Sequence, residues 1–253
     1  MDTHNKNFVV SGAASGLGAA TARALVQAGA GVLLLDLNAQ GVEAMAKALG
    51  MPFVVADITD GAQAQAAVDA GMQTLGALHG LVNCAGIVLG ERILGREGPH
   101  ALDAFAKVIQ VNLIGSFNLL RLVAAAMANN TPDAAGGRGV IINTASVAAY
   151  DGQIGQAAYA ASKGAIASLT LPAARELARQ GIRVMTIAPG LFETPMMAGM
   201  TDDVRASLAA AVPFPPRLGK PEEYAALVLH IIANDMLNGE VIRLDGALRM
   251  AAR

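Results

Sequence analysis

The sequence predicts an α/β fold, a seven-stranded parallel sheet doubly wound with helices on both faces, and three observations predict it. Short apolar runs recur along the chain, helix-forming stretches separate them, and the runs do not alternate with polar residues. Continuous apolar runs mark strands covered on both faces, and regular strand–helix alternation marks right-handed crossovers between parallel strands. Residues 8–11, 32–36, 53–57, 81–85, 140–146, 184–188 and 241–245 read as buried strands. Residues 17–28, 39–49, 62–75, 101–128, 157–178 and 222–233 read as the helices between them. These elements use nearly all of the 253 residues, so a single domain over 1–253 is expected.

Composition narrows the function classes. Hydrophobic residues make up 54% of the chain and charged residues only 15%, which excludes a disordered protein. The net charge of −2 gives no bulk attraction to nucleic acid or to an anionic membrane surface. One cysteine cannot close an internal disulfide. The first residues carry no signal pattern and no apolar run reaches transmembrane length, so a cytoplasmic protein without a membrane partner is expected. His4, His79, His100 and His230 are scattered, and no metal cluster is expected.

Three stretches are irregular. Residues 86–100 and 189–221 follow the carboxyl ends of strands, where such sheets bind ligands. Residues 131–139 precede a strand and read as a surface loop at the opposite end. Within the third stretch, a helix is expected at 202–211. Phe192, Met196, Met197, Met200, Leu208 and Phe214 give that stretch an apolar side, suited either to packing or to a substrate lid over about 190–220.

The first strand runs into SGAASGLG at 11–18, which opens a helix. Gly12 permits the tight turn, Gly16 lets the backbone approach a pyrophosphate, and Gly18 lets helix and strand pack closely. The amides at the helix start then face the phosphates. Asp36 closes the second strand, placed to accept the hydroxyls of an adenine ribose and to repel a 2′-phosphate. A Rossmann-type site for NAD rather than NADP follows. Asp57, at the end of the third strand, reads either as an adenine contact or as a helix N-cap.

Tyr159 and Lys163 lie four apart in a helical stretch, so both project from one face. Ser146 ends the preceding strand. A lysine ammonium beside a phenol stabilises its anion and lowers its pKa, which would let Tyr159 exchange a proton with an alcohol or carbonyl. Ser146 would hold the same substrate oxygen.

The chain resembles the short-chain dehydrogenase/reductase family over nearly its full length. The matching motifs are SGAASGLG, NCAG (83–86), VN (111–112), Ser146, YAASK (159–163) and PG (189–190). The resemblance implies that Tyr159 is the acid/base, that Ser146 orients substrate, and that Lys163 tunes Tyr159 and binds the nicotinamide ribose. It also implies that Asn112 holds a water in a proton relay and that Thr194 binds the nicotinamide carboxamide. Two residues depart from the family pattern: Ser11 replaces the usual Thr, and Cys84 stands where Asn is common, reading as a small buried residue.

The stretches GVIINTASVAAYDGQIGQAAYAASKG, RVMTIAPGLFETPMM, VPFPPRLGKPEEYA and LNGEVIRLDGALRM are similar to a group within that family, the type 2 3-hydroxyacyl-CoA dehydrogenases. That likeness implies an NAD-dependent, L-specific homotetrameric oxidoreductase acting on 3-hydroxyacyl-CoA. Hydroxysteroid or general secondary-alcohol oxidation is the alternative activity, and a non-catalytic NAD-binding scaffold is the alternative of another class. It further implies that Gln153 or Gln156 lines the substrate site beside Tyr159. Ser15, Leu17, Asp36, Asp57, Ile58, Cys84, Ala85, Gly86, Pro189, Gly190 and Phe192 match cofactor contacts. Arg92, Arg96, Arg205, Arg217 and Lys220 are candidates for CoA phosphates, and His100 reads as a surface residue.

Overall fold

The computed structural model describes residues 1–197 and 201–252. Seven parallel strands form one sheet: β1 (Asn7–Ser11), β2 (Gly31–Asp36), β3 (Phe53–Val55), β4 (Gly80–Asn83), β5 (Gly139–Thr144), β6 (Ile182–Pro189) and β7 (Val241–Leu244). Their order is β3-β2-β1-β4-β5-β6-β7, so the winding reverses between β1 and β4. The crevice at that reversal opens at the carboxyl ends of both strands, where doubly wound sheets bind ligands.

The helices are α1 (Gly16–Gln27), α2 (Ala39–Leu49), α3 (Gly61–Leu75), α4 (Leu102–Ile109), α5 (Ser116–Met127), α6 (Ala157–Leu177), α7 (Asp202–Ala210) and α8 (Pro221–Ala233). Strand side chains alternate between two apolar layers. Phe8, Val10, Val32 and Leu34 pack under α1, α2 and α8, whereas Val9, Leu33, Leu81 and Ile141 pack under α3, α5 and α6. Both faces are therefore covered, as the continuous apolar runs required.

Five expectations change. The third strand is an edge strand and is not buried, with Phe53 and Val55 more than two-fifths exposed. β7, at the other edge, is only half-buried. The helix expected over 101–128 is interrupted by a π-helical segment, Gln110–Gly115. The interrupted run Leu102–Met127 is, among the described residues, one helical span long and apolar enough to cross a membrane, at a mean hydropathy of 1.5. Asp103, Lys107 and Arg121 divide its apolar residues in sequence, which hid the span; 56% of its apolar window is buried, and α5 packs against α3 and β4. β5 stops at Thr144, and Ser146 instead caps a turn of 3₁₀-helix, Val147–Ala149, its hydroxyl oxygen accepting from the Ala148 amide.

Arg183, on β6, ties α8 to the sheet. Its guanidinium donates to the carbonyls of Ile231, Ile232 and Leu237 at 2.8–2.9 Å and lies 3.5 Å from Asp235. The last carbonyls of a helix have no partner within it, so a buried cation there satisfies them and complements the helix dipole. Arg183→Met is expected to destabilise the fold by about 2–4 kcal/mol, because three acceptors lose their donor. Urea unfolding monitored by circular dichroism measures this.

Candidate active site

The carboxyl ends of β1, β2, β4 and β5 bring the predicted residues together. After β1 the chain turns at Gly12, whose φ of +68° suits glycine. A Cβ on Gly18 would clash with the Gly12 carbonyl oxygen, so the helix packs on the loop only because residue 18 is glycine. Ser15 is the N-cap of α1, yet its side chain makes no capping hydrogen bond. The free hydroxyl and the orphan amides of the first turn form a cradle fit for a phosphate. Leu17 is half-buried behind it, packed on the core. Thr194 and Pro195 stand against the loop, since a Cβ on Gly16 would meet both at 3.5 Å.

Asp36 accepts from the Ala14 amide and the Asn38 amide, each at 2.9 Å. Its carboxylate is thereby fixed at the mouth of the glycine loop, and each oxygen keeps capacity for one further donor. This donor set fits an adenosine ribose. Asp57 is not a helix N-cap: Asp60 caps α3, and Asp57 accepts from the Thr59 amide and hydroxyl at 2.8 and 2.7 Å. The Thr59 amide and hydroxyl also hold the Asp57 carboxyl below its ordinary pKa. Ile58 is a core residue, with its carbonyl taken by Asn118.

The chemistry lies on β4, β5 and α6. Ser146 is buried beside Tyr159, and its hydroxyl favours the phenolate form of that side chain. Lys163, one turn further along α6, has its ammonium 5.8 Å from the centre of the Tyr159 ring. It donates to the Thr144 carbonyl at 2.7 Å. Gly86 lies against this ammonium: a Cβ there would be 3.5 Å from Lys163 Nζ and 3.1 Å from Asn112 Oδ1. Cys84 and Ala85 complete the floor, with their amides tied to the Ser11 carbonyl and hydroxyl. On the far side, β6 ends at Pro189 and the Gly190 amide bonds the Leu244 carbonyl.

Two electrostatic expectations change. Burial pushes the Tyr159 phenol above its ordinary pKa, and the Ser146 hydroxyl offsets this only in part. The lysine does not lower it in the protein alone, because burial brings Lys163 itself down to about 8 while Cys84 opposes the shift. The Asn112 side-chain amide is already engaged on both its atoms, with one lone pair of Oδ1 to spare. Its oxygen accepts from the Ile87 amide at 2.8 Å, and its nitrogen donates to the Ile87 carbonyl and Ser162 hydroxyl at 2.9 and 3.0 Å. The side chain is a clamp between α6 and the segment after β4.

Both glutamines belong to the loop before Tyr159. Gln153 donates to the Ala251 carbonyl at 3.1 Å, and Gln156 accepts from the Gln153 amide at 3.0 Å. Phe192 is 7% exposed and belongs to the core, packed beneath Gly219, so it is not part of a lid face. Phe214 is exposed. Met200 and the side chain of Met196 lie outside the described residues. His100 is not a surface residue, being nine-tenths buried beside Phe105. Of the basic candidates, Arg205 and Arg217 line a cavity of about 580 Å³ with Glu193, Thr194 and Met197. Arg217 is already paired with Glu223 at 2.7 Å. Arg92 and Arg96 lie exposed in the loop before α4, and Lys220 lies exposed at the N-cap of α8.

A clasp over the substrate side escaped sequence reading. Arg243 donates to Asp151 at 2.5 Å, to Asp245 at 2.7 Å and to the Leu248 carbonyl at 2.9 Å, with its guanidinium 5.3 Å from the Tyr150 ring. The Ile154 amide donates to the Ala252 carbonyl, and the Gly155 carbonyl accepts from the Glu91 amide. The loop between Ser146 and Tyr159 is thus held from two sides. Opposite charges at 151 and 243 carry no local signal; only the fold joins them.

Residues 6–205 match the family model described as short chain dehydrogenase. The chain is 56% identical over 246 residues to 3-hydroxyacyl-CoA dehydrogenase type-2 of Bos taurus, covering 96% of this chain and 94% of that protein. The crystal structure of 3-hydroxyacyl-CoA dehydrogenase type-2 from Mycobacterium avium superposes with a TM-score of 0.94 at 44% identity, covering 98% of this chain and 97% of that one. A 3-ketoacyl-(acyl-carrier-protein) reductase from Brucella melitensis, complexed with NADH, superposes with a TM-score of 0.87 at 28% identity, covering 98% and 99%.

The buried ammonium costs stability. Below pH 8 Lys163 is protonated in both folded and unfolded chains, and the folded state carries the full penalty. Above its unfolded pKa of about 10.4 the penalty is gone. Lys163→Met is expected to be more stable than wild type at pH 7 by on the order of 2–3 kcal/mol. The gap is expected to close as pH rises from about 8 to 10.5. Denaturant unfolding of both proteins across that range measures it.

Proposed function

The chain belongs to the short-chain dehydrogenase family, and from that premise we propose that it interconverts L-3-hydroxyacyl-CoA and 3-oxoacyl-CoA with NAD. It is an oxidoreductase that uses a nicotinamide cofactor on a small-molecule substrate. The observation that carries the chemistry is the grouping of the buried Ser146 hydroxyl with the Tyr159 phenol and the Lys163 ammonium 5.8 Å from its ring. The full-length likeness to the bovine protein supports the thioester substrate. Asp36, fixed by two backbone amides with no arginine at Leu37 or Asn38, supports NAD over NADP.

When bound, the cofactor supplies the hydride acceptor and, in its oxidised form, a positive ring charge. Tyr159 takes the hydroxyl proton in oxidation and returns it to the carbonyl oxygen in reduction. The Ser146 oxygen accepts from the Ala148 amide, so its position is set independently of the ligand. From there its hydroxyl orients the substrate oxygen beside the phenol. Lys163, charged below pH 8, stabilises the phenolate as the proton leaves. Asn112 keeps α6 against the segment after β4 and so maintains the spacing.

The quaternary reading is a homotetramer. Ile114 and Phe117, beside and within α5, and Leu171 on α6 are each over two-fifths exposed on helices that cover one face of the sheet. Second copies of this chain would cover them. Analytical ultracentrifugation is expected to give four times the 25.7 kDa chain mass, and a stable monomer would overturn this.

Acetoacetyl-CoA reduction, followed by loss of reduced-cofactor absorbance, tests the activity. Turnover with NADH at least about tenfold above that with NADPH is expected, since a 2′-phosphate would meet the Asp36 carboxylate. Equal NADPH turnover would refute the role of Asp36. Absence of turnover by protein that binds NADH would move the substrate to hydroxysteroids or other secondary alcohols.

A further inference from the structure

The ammonium of Lys163 is anchored to the carbonyl of Thr144, and that residue has a support of its own. The Thr144 hydroxyl lies 2.5 Å from the Asn83 carbonyl oxygen and 2.7 Å from the Tyr224 hydroxyl. A hydroxyl has one proton, and a carbonyl can only accept. The Thr144 proton therefore goes to Asn83, and Tyr224 must donate to Thr144 Oγ1. The Tyr224 oxygen in turn accepts from the Cys84 thiol at 3.7 Å, and the thiol is also 3.8 Å from Thr144 Oγ1.

Tyr224 is fully buried, in the first turn of α8, among the apolar side chains that join α8 to α1 and the sheet. Phenylalanine would fill that volume without a hydroxyl to satisfy, so the polar tip needs a reason. Its reason on this geometry is Thr144. The last residue of β5 offers its carbonyl to the lysine on one side and its hydroxyl to the tyrosine on another. Cys84, which departs from the pattern of the sequence family, supplies the thiol that completes the chain.

We propose that Tyr224 is a positioning residue: through the Thr144 hydroxyl it fixes the carbonyl that anchors the Lys163 ammonium. The inference rests on the catalytic reading of Lys163 given above. The groups facing that ammonium are Cys84 from the end of β4, Tyr159 from α6, Asn112 and Gly86 at the floor, and Thr144 from β5. No carboxylate pairs with it among the described residues, so the Thr144 carbonyl is the dipole available to hold the charge. Burial lowers the lysine pKa, and loosening the carbonyl would lower it further.

The test uses full-length protein with lysine isotope-labelled at Cε, in wild-type, Tyr224→Phe, Thr144→Val and Thr144→Ser forms. NMR titration without substrate reads the Lys163 midpoint, its signal identified by loss in Lys163→Met. Tyr224→Phe and Thr144→Val are expected to lower the midpoint by about half a unit or more. The same two variants should move the alkaline limb of kcat/KM for 3-hydroxyacyl-CoA oxidation to lower pH, because Lys163 must be charged to stabilise the phenolate. Their kcat is expected to fall about threefold to tenfold with NADH affinity unchanged. Thr144→Ser, which keeps the hydroxyl, should restore the midpoint lost in Thr144→Val. An unmoved Lys163 midpoint in Tyr224→Phe, even with reduced thermal stability, would show that Tyr224 only packs, and would overturn the proposal. If wild-type protein fails to oxidise the thioester, the substrate reading fails while the lysine titration still decides the role of Tyr224.

Discussion

A row of polar side chains crosses the sheet at one level, and the geometry above it depends on that row. Ser11, Asn83, Asn143 and Thr186 are register partners on β1, β4, β5 and β6. For two residues below them these strands are apolar on both faces; above them the chain leaves the sheet and becomes the site. Asn83 is the centre: its amide donates to Asn143 Oδ1 at 2.9 Å and to the Ser116 carbonyl at 3.1 Å, and its oxygen accepts from Ser11. A buried amide is costly unless hydrogen-bonded, so the contacts of Asn83 fix β1, β4 and β5 in one register and α5 at one height, while Asn143 Nδ2 is left without a partner. A one-residue slip of any strand would leave those groups unpaired and turn its apolar residues to the wrong face. The Ser11 hydroxyl then accepts from the Ala85 amide, which carries the constraint directly into the cofactor floor.

Much of this was readable from sequence because the signals are local. Seven apolar runs located seven strands, and the separation of Tyr159 from Lys163 by one helical turn put them on one face. The glycines at 12 and 18 matched a helix packed against its own entry loop. What was missed depends on distant contacts or on chemistry that periodicity does not carry. Residues 110–115 sit inside a long apolar helical stretch, and nothing in its pattern marks a π segment. Val-rich β3 reads as buried until its place at the sheet edge is known. Asp57 is a plausible cap in sequence, and only the backbone geometry gives that place to Asp60.

The electrostatic result has the same origin. Sequence places a lysine beside a tyrosine and suggests that one tunes the other. Burial acts on both at once, raising the phenol and lowering the ammonium, and the depth of burial is a property of the fold. A site with that balance keeps the phenol neutral at pH 7, with a charged but weakened ammonium beside it, until a ligand brings charge of its own. Proton transfer is thereby coupled to occupancy of the site without any moving part.

The clasp formed by Asp151, Arg243 and the carbonyls of Ala251 and Ala252 joins residues about a hundred positions apart in the chain. During synthesis, the loop carrying Ser146 and Tyr159 leaves the ribosome long before the segment that secures it. The sheet from β1 to β6 can be assembled while that loop is still held on one side only. The loop is therefore secured on its second side only after residues 243–252 have been made.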